Sequence, residues 1–195
     1  LFRSSISFNM LFLEEIWSRN FTNLFIAPLK VSEIITALTA TALIRTLIGI
    51  IPAILLASPF FGVSIFNLGA PLILLLLSLY TFGMTLGLLV VSGLLRYGPA
   101  FENVAWSSLF LLAPLGCIYY PLSILPDWLQ VIAKALPLVY IFEEVRSILL
   151  NNVVNYSNII SALILNFVYF LLSIFVFFKA FQEARKKGTL INVGE

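Results

Sequence analysis

The sequence predicts an all-α fold: a polytopic helical membrane protein with four complete spans, the end of another span and an outer re-entrant helical hairpin. Hydrophobic residues make up 61% of the 195 residues and charged residues only 10%, with a mean hydropathy of +1.07. Four blocks, 34–57, 70–95, 103–121 and 156–178, contain a single formal charge, Arg45. About 20 apolar residues cross a hydrocarbon core of roughly 30 Å as a helix. A soluble domain of this size would need a charged face toward water.

The first residues of the chain, 1–13, resemble the end of a helix whose beginning is missing. They do not begin with Met, and they lack the basic region, long apolar core and small-residue cleavage site of a signal peptide. We therefore expect an N-terminally truncated chain in which residues 1–195 form a single transmembrane domain.

The segments between the four blocks predict which side of the membrane each one faces. The segment 14–33, the hinge 96–102 and the tail 179–195 carry seven basic residues: Arg19, Lys30, Arg96, Lys179, Arg185, Lys186 and Lys187. The loops 58–69 and 122–155 carry two, Lys134 and Arg146. Because cytoplasmic loops are enriched in Lys and Arg, the first group is expected in the cytoplasm, with the C-terminus, and the two loops outside.

The segment 121–150 is apolar yet interrupted by three prolines and five charges. Pro126, followed by Asp127, is typical of a helix start, and Pro137 ends that helix and begins a second one. Between Pro126 and Pro137, apolar residues lie at helical spacing on one face of the first helix: Trp128, Leu129, Ile132, Ala133 and Leu136. Glu143 and Arg146 are spaced as an i, i+3 ion pair. The pattern predicts two short helices that enter the outer leaflet and return; an interfacial helix lying on the membrane is the alternative.

The segment 12–33 predicts a cytoplasmic surface helix with exposed aromatic residues. Its apolar face contains Ile16, Trp17, Phe21, Leu24 and Phe25. Its polar residues lie mostly elsewhere: Glu14, Glu15, Arg19 and Asn23. Exposed aromatic side chains of this kind indicate a docking surface or a membrane contact.

The order of these features resembles the type-2 ABC transporter permeases. The most specific elements are Leu125-Pro126-x-Trp128, Pro137-x-x-Tyr140 and Glu143-x-x-Arg146, all within one predicted outer hairpin. The polar helix before the spans, Ala27-Pro28-Leu29, Ser32-Glu33 and the basic tail occur in the same order as in that family. The likeness covers nearly all of the chain, but residues 20–24, Asn-Phe-Thr-Asn-Leu, depart from the usual Gly-Thr-Leu-like run.

The resemblance implies a role for each segment. Six spans are usual in the family, so this chain would lack the first span and most of the second. Residues 14–28 would form the coupling helix that docks on a separate ATPase subunit, through Glu14, Glu15, Trp17, Arg19, Phe21, Leu24 and Phe25. Residues 122–150 would form the outer re-entrant hairpin, with Pro121 at its entry and Pro126, Trp128, Pro137, Tyr140, Glu143, Glu144 and Arg146 within it.

The function predicted on this basis is that of the permease subunit of an ATP-driven exporter in the bacterial inner membrane. It would move an amphipathic, lipid-like or glycan substrate by alternating access, as a homodimer or heterodimer in contact with membrane lipid. The sequence contains no Gly-x-x-x-x-Gly-Lys-Ser/Thr run, so ATP hydrolysis is expected in the partner and not in this chain. The net charge of +2 indicates no nucleic-acid partner.

Two other classes of function are weighed against the exporter. An ion-coupled secondary transporter should show intramembrane acids and repeated halves, and a membrane-embedded enzyme should show an activated nucleophile or paired acids. The four blocks contain no Asp or Glu, and the sequence has no His. No metal site or cofactor is expected, and the lone Cys117 is interpreted as a small core residue. Arg45 is either a functional intramembrane charge or a structural partner of a carboxylate or carbonyl group.

Overall fold

The computed structural model describes residues 31–61, 69–98, 101–151 and 153–187, and every regular element within these ranges is helical. The helices are α1 (Val31–Phe61), α2 (Ala70–Tyr97), α3 (Glu102–Leu115), α4 (Asp127–Ala133), α5 (Pro137–Asn151) and α6 (Tyr156–Lys187), with a 3₁₀ turn at Leu122–Ile124 before α4. The predicted all-α class is therefore confirmed for the described part of the chain.

Two of these helices are long and apolar enough to cross a membrane. They cover Pro71–Tyr97, with a mean hydropathy of 2.2, and Tyr156–Lys186, with a mean hydropathy of 2.5. They coincide with the second and fourth predicted blocks. Helix α1 contains the first predicted block, but its described apolar stretch, Thr39–Pro52, is shorter.

Helix α3 ends earlier than the sequence predicts. The third block was expected to continue to residue 121, but the helix stops at Leu115, after 14 residues, and so rises only about 21 Å. Cys117 then has a φ of +54°, a left-handed conformation that does not continue a helix. Gly116 packs so closely on Leu138 that a Cβ there would lie 2.8 Å from the Leu138 Cδ1. The sequence did not predict this helix end, because apolarity alone does not reveal the turn; the span 103–121 itself stays a prediction.

The described residues belong to two compact units, each with its own buried residues. The first comprises residues 31–49, 83–98, 101–105 and 171–187, and the second comprises 50–61, 69–82, 106–151 and 153–170. In the first unit the largest fully buried side chain is Phe177, whose ring centroid lies 6.0 Å from that of Phe181.

The second unit contains two apolar clusters that hold the predicted hairpin in place. In the cluster we call the α5 cluster, buried side chains of α2, α5 and α6 pack together: Leu75, Ile141, Ile148, Ile159 and Ala162. In the cluster we call the turn cluster, the segment after α3 packs on α4 and α5 through Cys117, Leu125, Ala133 and Val139. Cys117 is fully buried, as expected of a small core residue.

Candidate functional site

The sequence-predicted site residues lie in three parts of the chain. The proposed ATPase-docking residues, from Glu14 to Phe25, lie outside the described residues. Arg45 lies in α1 with an exposed side chain. The hairpin residues, from Pro121 to Arg146, all lie in the described part of the second unit, so the site that can be built from the structure is the hairpin.

The two hairpin helices begin where the sequence places them. Pro126 is the N-cap of α4 and Asp127 lies in the first turn, where its carboxylate complements the positive end of the helix dipole. Pro137 is the first residue of α5, a position that needs no backbone N–H. Helix α4 itself ends at Ala133, and Lys134 forms its C-cap.

An ion pair on α5 connects the hairpin to the segment that follows α3. Arg146 Nη1 lies 2.7 Å from Glu143 Oε1, which confirms the predicted i, i+3 pair. Arg146 Nη2 also donates to the carbonyl oxygens of Cys117 and Tyr120, the latter at 2.9 Å. Glu143 Oε1 accepts a further bond of 2.7 Å from the Leu122 backbone N–H. Because both side chains are less than a third exposed, at 22% and 30%, these charge-assisted bonds define the turn between α3 and α4.

The adjacent residue, Glu144, connects the middle of α5 to the start of α6. Its side chain is fully buried. Glu144 Oε1 accepts a 2.7 Å bond from the Asn155 backbone N–H, and Oε2 accepts a 3.1 Å bond from Asn158 Nδ2. A carboxylate at the start of α6 satisfies a free N–H group and complements the helix dipole. The sequence named Glu144 as a hairpin residue but did not predict this role.

The apolar face predicted for α4 divides into a packed strip and an exposed strip. Leu129 and Leu136 pack on the turn cluster beside the fully buried Ala133. Trp128 and Ile132 instead are 67% and 51% exposed. Adjacent residues are rotated by about 100° around a helix. The five predicted positions therefore span a wider part of the helix surface than the strip that contacts the turn cluster. The exposed strip of α4 is apolar.

Several polar side chains in apolar stretches form hydrogen bonds that the sequence analysis missed. Gln130 Nε2 donates to the Leu125 carbonyl at 2.8 Å, and the Tyr169 hydroxyl of α6 donates to the Ala135 carbonyl at 3.0 Å. Leu125 lies just before α4 and Ala135 just after it, so both carbonyls lie outside the helix. A polar side chain within an otherwise apolar stretch is the sequence feature that could have predicted these hydrogen bonds.

Asn166 of α6 and Ser78 of α2 form a buried polar contact within the second unit. Asn166 Nδ2 donates to the Ser78 carbonyl at 3.0 Å and to the Ser78 hydroxyl. Both residues are buried, and the Asn166 Oδ1 has no hydrogen-bond partner within the described structure. Polar contacts of this kind stabilise the packing of helices in lipid. Burial of the unpaired Asn166 Oδ1 costs free energy and offsets part of that stabilisation.

We expect the double variant Ser78→Ala/Asn166→Leu to be within about 1 kcal/mol of the wild type in unfolding free energy, since replacing both partners removes the unpaired acceptor as well as the bonds. Thermal unfolding of the purified protein measures this. Asn166→Leu alone is the comparison, and it should be less stable than the double variant because it leaves the Ser78 hydroxyl without Asn166. A double variant less stable than Asn166→Leu would contradict the expectation.

The charged residues of α5, Glu143, Glu144 and Arg146, are engaged in structural bonds. In the described residues, no three His, Cys, Asp or Glu side chains are grouped as a metal site requires. The charged residues of α5 instead bind the segment 117–122 and the start of α6, and the packed hairpin leaves one apolar strip exposed.

The chain belongs to the ABC-2 type transporter family: residues 1–150 match the family model described as ABC-2 type transporter. No curated protein and no solved structure matches the chain. The protein is therefore an integral membrane protein and the permease subunit of an ABC transporter. Its family is a transporter domain and not a catalytic one, and it normally works with an ATP-binding subunit.

Proposed function

We propose that this chain is the membrane subunit of an ATP-driven exporter, powered by a separate ATPase that docks on the coupling helix 14–28. The observation that carries the proposal is the family match over residues 1–150, which includes both the proposed coupling helix and the hairpin. Closure of the ATPase around nucleotide would push on the coupling helix. That force would rock the spans of two permease subunits and switch the cavity between them from inward to outward access.

Contacts at the ends of α2 and α6 support the proposed topology. Arg96 Nε lies 4.0 Å from Glu183 Oε2, so the C-terminal turns of the two helices lie together. This contact agrees with the sequence prediction that the hinge 96–102 and the tail 179–195 lie on the same side of the membrane. Because cytoplasmic segments are enriched in Lys and Arg, the basic tail would be cytoplasmic and the hairpin, with few basic residues, would lie outside.

The exposed strip of α4 supports a hairpin that enters the outer leaflet. Trp128, Val131 and Ile132 are 67%, 72% and 51% exposed, and large apolar side chains are stabilised by lipid or by a partner subunit. The polar backbone between α3 and α4 is meanwhile bonded to Arg146 and Glu143, as irregular backbone at membrane depth requires. In this arrangement α3 and the turn after it form the third crossing, between the spans 70–95 and 156–178.

The proposed substrate is amphipathic, lipid-like or a glycan, and the proposed site of transport is a permease dimer in the bacterial inner membrane. Exposed apolar side chains on α1, such as Ile48 at 67%, suit contact with lipid or a second subunit. Arg45 is exposed on the same helix, in the first proposed span 34–57. A charge at that depth is a functional candidate, with structural pairing as the alternative.

Co-expression of the full chain with a candidate ATPase tests the proposal. The two subunits should copurify in detergent, and proteoliposomes containing both should move substrate only when ATP is present. An ATPase with its phosphate-binding lysine replaced is the matched control, and it should bind the permease without supporting transport. If no stable complex forms and the chain alone moves or modifies a substrate, the proposal fails.

A further inference from the structure

A cavity of about 370 Å³ lies in the first unit, beside the C-terminal turns of α2 and α6. Its lining has an apolar part and a cationic part. Leu89, Phe175 and Val176 supply an apolar wall, and Arg96 and Lys179 supply two cationic groups. The volume is at the lower end of the range of small-molecule sites, about 300–1,000 Å³.

On both helices the lining changes from apolar to cationic residues beside this cavity. On α2 the last uncharged block ends at residue 95, and the next residue is Arg96. On α6 the last uncharged block ends at residue 178, and the next residue is Lys179. A cavity between these two residues therefore lies at the boundary between hydrocarbon and water, where phospholipid headgroups lie.

The Arg96 side chain is 57% exposed and lies beside two aromatic rings and a carboxylate. Its guanidinium carbon lies 5.8 Å from the centroid of the Tyr97 ring, and that ring stacks on Phe101 at 5.7 Å with an interplanar angle of 19°. The Glu183 carboxylate approaches Nε at 4.0 Å, and a guanidinium has four further N–H donors on its terminal nitrogens. A guanidinium can bind two oxygens of a phosphate group at once through parallel N–H···O bonds.

The apolar wall opens toward the surface of the helices. Leu89, Phe175 and Val176 are 41%, 66% and 41% exposed, although all three lie inside the proposed spans. Their exposed faces therefore meet acyl chains in a membrane. An occupant whose charged end lies between Arg96 and Lys179 can extend an apolar chain along this wall into the bilayer.

We propose that this cavity binds an anionic phospholipid, with its phosphate between Arg96 and Lys179 and the start of one acyl chain against Leu89, Phe175 and Val176. The two cations outnumber the single carboxylate of Glu183 in the lining, so the site favours a net negative headgroup over a zwitterionic one. The proposal goes beyond the exporter function and depends only on the placement of α2 and α6 in the membrane. It assigns a bound lipid to the junction of the two helices.

Native mass spectrometry of the delipidated full chain tests the site. The chain in detergent is titrated with 1-palmitoyl-2-oleoyl-phosphatidylglycerol or with the phosphatidylcholine of the same acyl chains, and the fraction that retains one lipid is measured. Phosphatidylglycerol should be retained more tightly. Arg96→Gln/Lys179→Gln should weaken its binding about 25-fold, because each basic residue near an anionic lipid contributes roughly a factor of five.

Two further variants separate the cavity from general electrostatics. Lys134→Gln/Arg185→Gln removes the same charge from exposed residues outside the cavity, and its binding should stay within about twofold of the wild type. Val176→Trp leaves both cations in place but fills the apolar part of the cavity, so it should also bind phosphatidylglycerol more weakly. It tests the proposal independently if Arg96→Gln/Lys179→Gln does not fold. Equal losses in both charge variants, or retention by Val176→Trp, overturn the proposal. Displacement of the lipid by millimolar inorganic phosphate also overturns it, since the site would then bind a free anion.

Discussion

Replacing Trp17 and Phe21 with alanine is expected to uncouple the transporter, with loss of most ATP-driven transport. Both residues lie on the predicted apolar face of the coupling helix, and truncation of a central aromatic anchor at an interface typically costs about 2 kcal/mol or more. That free energy corresponds to roughly a thirtyfold loss of affinity for the ATPase. Reconstituted transport, ATPase activity stimulated by the permease, and pull-down of the ATPase measure the effect together.

The control for this variant removes two other exposed aromatic residues. Tyr156 and Phe167 of α6 are 66% and 64% exposed and lie outside the proposed docking surface and hairpin. Tyr156→Ala/Phe167→Ala should therefore retain ATPase binding and coupled transport. Unchanged transport and pull-down in the Trp17→Ala/Phe21→Ala protein would refute the assignment of residues 14–28 as the coupling helix.

Replacing Arg146 with methionine is expected to destabilise the protein by about 3 kcal/mol, since removal of one partner leaves a half-buried carboxylate without its cation. The carbonyls of Cys117 and Tyr120 lose their donor as well. For a chain of this size such a change lowers Tm by roughly 6–12 °C. Thermal unfolding of the purified full chain, followed by loss of soluble protein, measures the shift.

Two variants show whether the loss comes from the ion pair. Glu143→Gln/Arg146→Met removes the unpaired charge while keeping an oxygen that can accept from the Leu122 N–H, so it should be more stable than Arg146→Met alone. Lys134→Met removes an exposed cation from the C-cap of α4 and should shift Tm by no more than about 2 °C. A double variant as unstable as the single one would mean that the loss does not come from the Glu143 charge.

Local residue chemistry was enough to predict the short helices of the hairpin. The two helix starts are marked by Pro126 with Asp127 and by Pro137. Proline is favoured in the first turn of a helix because no backbone hydrogen bond is lost there. The Glu143–Arg146 pair could likewise be read from its spacing, because residues three apart on a helix are neighbours. The observed helix starts and the 2.7 Å ion pair confirm these predictions.

The end of α3 could not be predicted in this way. Residues 116–121 are as apolar as the helix before them, and hydropathy does not indicate the left-handed backbone conformation of Cys117. The turn depends on groups distant in sequence: Gly116 packs on Leu138, and Arg146 binds the carbonyls of Cys117 and Tyr120. The role of Glu144 at the start of α6 and the contact of Asn166 with Ser78 depend on distant partners in the same way.

By itself, the sequence determined that this protein is helical and resides in a membrane, because long uncharged blocks are stable only in lipid. Its resemblance to the ABC-2 permeases rested instead on the Pro, Trp, Tyr, Glu and Arg residues between positions 125 and 146. The tertiary structure decided where the third helix stops, which strip of α4 stays exposed and which groups Arg146 and Glu144 bind. It also brought Arg96 and Lys179 to one cavity from positions more than 80 residues apart in the sequence. Composition and spacing describe neighbours along a helix, whereas these features depend on which helices come together.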